Sequence, residues 1–321
     1  MRETRRSKFP FPLIALAPMS EWNDLAFISL AREYGADLVF MGLISSEGLA
    51  RKSLKTKSLL RYPEKARPVF AQIFGSCPRS MEEAAKLVEE EGFDGIDINA
   101  GCPVPKVMRT GSGAALMEDL KNARHVVKSV RKAVKIPVTI KMRLGPTGIE
   151  HIKLAKIAEE EGLDAVILHP RTPRQGYSGK ADWEKIAELK ATLSIPVLAS
   201  GDVIDGASFL EVLRTTECDG VLIGRGALGN PWIFQECRYA LAGKEYHKVE
   251  PEEKEQAMLK FIAYIEEFYG EKGMKFAKRH LSCFLKGLPG ASRFRSELQR
   301  AGWPQLKELV GKFFEELRSA K

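Results

Sequence analysis

The chain has 321 residues, room for one barrel-sized domain of ~250 residues and a small second unit. Its 44% hydrophobic and 29% charged residues are those of a globular protein, and the lack of any apolar run of about 18 residues excludes a membrane-spanning helix. A net charge of +8 favours anionic partners, and five scattered cysteines with no C-x-x-C pair or metal-spaced histidine argue against a disulfide framework and against a bound metal.

In chain order, the stretch from Met1 to Lys8 is basic, but the proline-broken segment after it leads into a charged loop. That does not read as a secretory signal, and a cytoplasmic protein is expected. Short runs rich in Val and Ile then recur, each followed by helical periodicity, the pattern of parallel strands with crossover helices. Strands are expected at 13–19, 38–42, 68–75, 95–101, 137–143, 165–171, 196–202 and 220–226. Several open on proline, which at the first strand position removes no central ladder bond. Helices are expected at 24–34, 80–91, 122–135, 150–161, 183–193 and 206–215, while 45–62 fits neither pattern.

Eight repeats of strand and helix, without the Gly-rich first turn of a doubly wound sheet, predict an α/β fold, a closed (β/α)₈ TIM barrel. After Ala242 the strand pattern stops. Helices at 252–269, 275–285, 293–301 and 304–319 predict a C-terminal all-helical domain, with residues 1–243 forming the barrel and 244–321 the helical part.

Two stretches concentrate the positive charge. Residues 51–67 hold seven basic side chains against Glu64, and residues 272–300 hold eight against Glu297, so the rest of the chain is net negative. A polyphosphate backbone would be drawn to both; solvated helix faces are the plainer reading of either alone.

Barrel active sites lie at the C-terminal ends of the strands. Those ends carry Pro18 and Met19, Gln72, Asn99, Cys102, Lys141, Arg143, His169, Arg171, the Ser200-Gly201-Asp202 turn and Gly224-Arg225-Gly226. So many amides and cations at one mouth imply a polar ligand. Glycine-containing loops after strands seven and eight suit a phosphate. A lysine on strand five suits the pyrimidine edge of flavin mononucleotide (FMN), although a phosphorylated sugar fits the spacing equally well. A lone cysteine is more often a buried hydrophobe than a catalyst. Cys102, however, sits at a strand end between glycine and proline, and an ordinary thiol, with a pKa of ~8.5, carries a proton to donate at neutral pH.

The strings LAPMS ending at Ser20, AQIFG around Gln72, DINAGCPVPKVMRTGSGAALM from Asp97, IKMRLG around Lys141, LHPRTPRQGYSGKADW around His169, SGDV from Ser200 and IGRGALGNPWIF around Gly224 occur in one order. The chain resembles the flavin-dependent tRNA-dihydrouridine synthases over residues 13–234, more weakly in the helical tail. The resemblance implies that NADPH reduces FMN, which passes hydride to C6 of a uracil in tRNA while Cys102 protonates C5. It implies FMN contacts from Pro18, Met19, Ser20, Gln72, Lys141, Ser200, Gly201, Asp202, Gly224 and Arg225, with His169 lining the flavin. It assigns Asn99 to orienting the uracil and Arg171, Arg174 and Tyr177 to the base or RNA backbone. Many members carry asparagine at the position of Ser200, which makes a mainly backbone contact the expectation there. Two alternatives remain at this level: a flavin barrel acting on a free pyrimidine, against which the basic tail argues, and an RNA-binding barrel without catalysis, against which Cys102, Lys141 and Gln72 argue.

Overall fold

The computed structural model describes residues 11–319, so the basic segment from Met1 to Lys8 lies outside the described residues. Eight parallel strands close into a barrel in sequence order. They are β1 (Leu13–Leu16), β2 (Leu38–Ser45), β3 (Val69–Phe74), β4 (Gly95–Ala100), β5 (Val138–Arg143), β6 (Ala165–His169), β7 (Val197–Ser200) and β8 (Gly220–Ile223), and β1 pairs with both β2 and β8.

The pleat sorts each strand into two faces. Leu13, Ala15, Leu38, Phe40, Phe70, Ile167, Leu198 and Leu222 fill the barrel, whereas Ile14, Ile73, Ile96, Ile140 and Val221 belong to the layer between strands and helices. Alternation then brings Gln72, Asp97, Asn99, Thr139 and Lys141 into the interior above the apolar plug. Gly95 makes room for that plug, since a Cβ there would lie 2.3 Å from the Phe70 ring.

The crossover helices follow the expected order, and side chains cap the starts of three of them, Leu25–Glu33, Leu120–Ala133 and Gly206–Thr216. Asp24 accepts the N–H groups of Ala26 and Phe27 to open Leu25–Glu33, and Asp205 and Ser208 form a capping box on Gly206–Thr216. The unplaced segment resolves into a longer β2 and two short helices, Ser46–Ala50 and Leu54–Lys57, with a register shift between Met41 and Leu43 that carries the strand past Gly42. Most other strands stop short of the expected ends, because the last residues leave the ladder to form the mouth. Asp202 (φ 59°) and Gly201 (φ 128°) turn the chain out of β7. A further helix, Ile233–Leu241, completes the last strand–helix unit.

Four longer helices follow: Pro251–Tyr269, Met274–Phe284, Ala291–Arg300 and Leu306–Ser319. The first two dock on the first barrel helix and its start, and the last two pack on them. The Tyr269 hydroxyl accepts the Leu25 N–H at 2.9 Å, the Tyr264 hydroxyl donates to Glu33 at 2.7 Å, and buried His280 lies 3.1 Å from Asp24 and 3.0 Å from the Trp22 carbonyl oxygen. Part of the first basic block serves this contact: Lys65 pairs with Glu267 at 2.6 Å and lies 3.9 Å from the Tyr264 ring centroid. Among the described residues, no helix is long and apolar enough to cross a membrane.

Candidate active site

A cavity of about 860 Å³ opens at the C-terminal ends of the strands and runs to the helical tail. Its inner wall holds Lys141, His169 and Ser200; its rim holds Pro18, Met19, Gly201, Asp202, Gly224 and Arg225, with Tyr177 above. These ten expected site residues, distant in sequence, meet because nine stand near the C-terminal end of a strand and the loop after β6 carries Tyr177 back over them.

The Lys141 ammonium makes no hydrogen bond or ion pair with any described residue, which leaves it for a ligand. Burial pushes its pKa below the ordinary lysine range, Arg143 adds to the shift, and Asp97 opposes it. His169 is held far lower, at about 2, by burial first and then by Lys141, Arg143, Arg171 and Arg225. It is therefore neutral. Arg171 Nη1 lies 3.2 Å from His169 Nε2 and can only donate, so the ring carries its proton on Nδ1.

Arg171 does not line the cavity. Its guanidinium is buried and committed, donating to the carbonyl oxygens of Ser178 (3.2 Å) and Gly179 (2.6 Å) and to Asp202 (2.7 Å). Arg143 pins the same loop through the Gly176 carbonyl oxygen at 2.7 Å. Between these two struts Tyr177 stays 60% exposed, its ring 4.4 Å from the Arg225 guanidinium carbon, an open aromatic face at the mouth. Arg174, on that loop, is exposed and outside the cavity, and Ser20 is exposed beyond its edge.

The glycines of the rim are there for space and conformation. A Cβ at Gly201 would come within 3.0 Å of the His169 ring, and the φ of 128° disfavours any other residue. The Gly224 and Arg225 N–H groups find no acceptor among the described residues, and a Cβ at Gly224 would stand in the approach beside Met19. Free backbone donors beside Arg225, with an unpaired lysine on the inner wall, fit a ligand that has a polar ring at one end and a phosphate at the other.

Cys102 does not line this cavity either; it is half-buried on the loop after β4, at the same end of the barrel. Its N–H donates to Asn99 Oδ1 at 3.0 Å and its carbonyl oxygen accepts the Ala114 N–H at 3.0 Å. Gly113 (φ 64°) packs below, where a Cβ would lie 2.7 Å from that oxygen. Gln72 and Asn99 are buried beside the loop and outside the cavity, and Asn99 is the register partner of Lys141. The Asn99 oxygen is thus occupied by the loop, which leaves one Nδ2 proton for any base.

The tail supplies what the sequence did not reveal. Lys248, Lys254 and Lys286 line the far wall with Cys283 and Phe284, and none has an acidic partner among the described residues. Lys286 lies in the second basic block, but Lys248 and Lys254 lie in an acidic stretch that no charge count singles out. Burial and the neighbouring Lys248 lower the pKa of Lys254. Asp202 is the one carboxylate among these lining groups, and Arg171 holds it.

The family model for dihydrouridine synthase matches residues 15–317. A probable tRNA-dihydrouridine synthase of Rickettsia bellii is 38% identical over 94% of both chains, and one of Aquifex aeolicus is 36% identical over 92% of this chain and 93% of that one. Among solved structures, a morphinone reductase mutant in complex with tetrahydroNAD has a similar fold, with a TM-score of 0.52 at 12% identity over 75% of this chain and 90% of that chain. A family model that matches residues 15–317 and a relative 38% identical over 94% of both chains lead to one conclusion: the chain belongs to the dihydrouridine synthase family.

Proposed function

We propose that this protein is a flavin-dependent tRNA-dihydrouridine synthase that reduces the C5=C6 bond of uridines in tRNA. The observation that carries the reading is the cationic, glycine-rimmed cavity at the strand ends, with the Cys102 loop following β4 at the same end of the barrel, in a chain of this family. FMN fits the donors present: the Gly224 and Arg225 N–H groups and the Arg225 side chain suit its phosphate, and Lys141 suits the pyrimidine edge of its ring. When bound, it supplies the hydride for C6, drawn in turn from NADPH.

The chain's own residues do the rest. Cys102 delivers the proton to C5 as general acid. Asn99 and Gln72 hold its loop, and the remaining Asn99 N–H is placed to meet the uracil. Neutral His169, fixed by Arg171, offers an N–H donor without adding charge to the cavity. Tyr177, braced by Arg225, gives an exposed base a ring to stack on, and Arg174 beside it suits the RNA backbone.

A uracil inside folded tRNA is stacked, and extracting it costs a few kcal/mol. Phosphate contacts offset that cost, and Lys248, Lys254 and Lys286 form an uncompensated surface for them next to the cavity. In this proposal residues 1–243 carry the chemistry and residues 244–321 grip the tRNA, in the cytoplasm. The test is to supply NADPH and flavin with either tRNA or free pyrimidines. Turnover restricted to tRNA supports the reading, and turnover of orotate or uracil with none on tRNA refutes it.

A further inference from the structure

Buried Asp97 has no part in the chemistry above, yet it ends a chain of hydrogen bonds that leads to Cys102. Its Oδ1 accepts from Thr139 Oγ1 at 2.6 Å and its Oδ2 from Gln72 Nε2 at 2.7 Å. Gln72 Oε1 accepts from Asn99 Nδ2 at 2.8 Å, and Asn99 Oδ1 accepts the N–H groups of Gly101 at 3.2 Å and Cys102 at 3.0 Å. All four side chains are buried.

Both ends fix the direction of this chain. Backbone N–H groups only donate, so Asn99 must turn its oxygen to the loop and its nitrogen to Gln72. Gln72 must then turn its oxygen to Asn99 and its nitrogen to position 97, where an acceptor is required. Without that acceptor a buried donor is left unpaired, or both amides turn and Asn99 presents N–H groups to the N–H of Cys102.

We propose that Asp97 is a positioning residue for Cys102: by accepting from Gln72 it locks both amides and so holds the loop that carries the thiol. The inference rests on the proposed role of Cys102. What position 97 must supply is an acceptor rather than a charge, and the chain has a reversed solution. With a carboxylate at 99 and an amide at 97, Gln72 turns, donates to 99 and accepts from 97, while the Thr139 hydroxyl donates to the new amide oxygen. Every group is again satisfied.

The experiment compares Asp97→Leu, Asp97→Asn, Asn99→Asp and the double variant Asn99→Asp with Asp97→Asn, all as full-length flavin-loaded protein. The readouts are hydrogen exchange of the Cys102 amide, alkylation of Cys102 by iodoacetamide, kcat and KM on tRNA, and flavin reduction by NADPH. Asp97→Leu should speed exchange and lower kcat by ~100-fold, the scale expected for a reacting group about 1 Å out of place, with KM for tRNA little changed; flavin reduction, read separately, reports the loss of Asp97 beside Lys141. Asp97→Asn, which keeps an acceptor, should lose far less. The double variant should be at least ~10-fold faster than Asn99→Asp alone, on the scale of coupling within one buried network. That comparison stands even if Asp97→Leu fails to fold. Wild-type protection and kcat in Asp97→Leu, or a double variant no better than Asn99→Asp, would overturn the proposal. If wild-type protein makes no dihydrouridine, the functional reading fails, and amide exchange still decides the positioning claim.

Discussion

Arg171 Nη2 lies 2.7 Å from Asp202 Oδ2, and this pair ties the end of β6 to the turn after β7. Asp202 also accepts the Ala181 N–H at 2.7 Å and faces Arg225 at 3.5 Å, so one carboxylate organises two loops of the rim. Arg171→Met should leave Asp202 without its main partner and free the loop that bears Tyr177. Breaking such a pair costs roughly 3 kcal/mol, the low end for buried pairs because Asp202 is partly exposed. Thermal unfolding should show that loss together with weaker flavin retention. Unchanged stability and flavin content would show that the loops hold themselves.

Lys141 gives the cavity a pH dependence. Burial lowers its pKa to about 8, so it is mostly but not fully charged at neutral pH and loses that charge as pH rises through about 8. Flavin affinity, titrated by fluorescence, should therefore weaken on the alkaline side. Lys141→Arg should flatten that limb, because a guanidinium stays charged, and Lys141→Met should bind weakly at every pH. A limb that persists in Lys141→Met would assign the titration to another group.

The tail lysines should act on RNA more than on flavin. Replacing Lys248, Lys254 and Lys286 together with glutamine should weaken tRNA binding and reduce its salt dependence by about 0.9 log units per log unit of salt for each phosphate that is no longer neutralised. Flavin content should stay near wild type. Loss of flavin with an unchanged salt slope would place these lysines around the cofactor phosphate instead.

Much of the barrel was legible because Val and Ile runs alternate with amphipathic stretches at regular spacing. The ends were less so. A sequence run does not show where the ladder stops, and at β7 the stop comes from Gly201 and Asp202 adopting positive φ. Gly42 reads as the end of β2, whereas a register shift there lets the strand continue to Ser45. Helix Ile233–Leu241 went unmarked because it starts directly behind the G-N-P-W turn, with no strand after it to set its end.

The same limit applies to the site. Residues at strand ends could be read in order, and ten of them do line one cavity. The roles of Gln72 and Asn99 could not, since their contact and that of Gln72 with Asp97 depend on the stagger between neighbouring strands, which no motif states. Arg171 looked like a ligand contact because it is a cation at a strand end. Its burial by its own loop emerges only in three dimensions. Lys248 and Lys254 reach the cavity because the tail folds back on the barrel, a long-range approach without a local signal.

The most direct test is dihydrouridine formation on an unmodified tRNA transcript with FMN and NADPH, comparing the wild-type protein with Cys102→Ala. Wild-type protein should convert defined uridines. The variant should bind flavin and oxidise NADPH normally but form dihydrouridine about 10²- to 10⁴-fold more slowly, the usual range for loss of a general acid. Equal conversion by both proteins, or none by a flavin-loaded wild type, would contradict the assignment of Cys102 as the proton donor of a tRNA-dihydrouridine synthase.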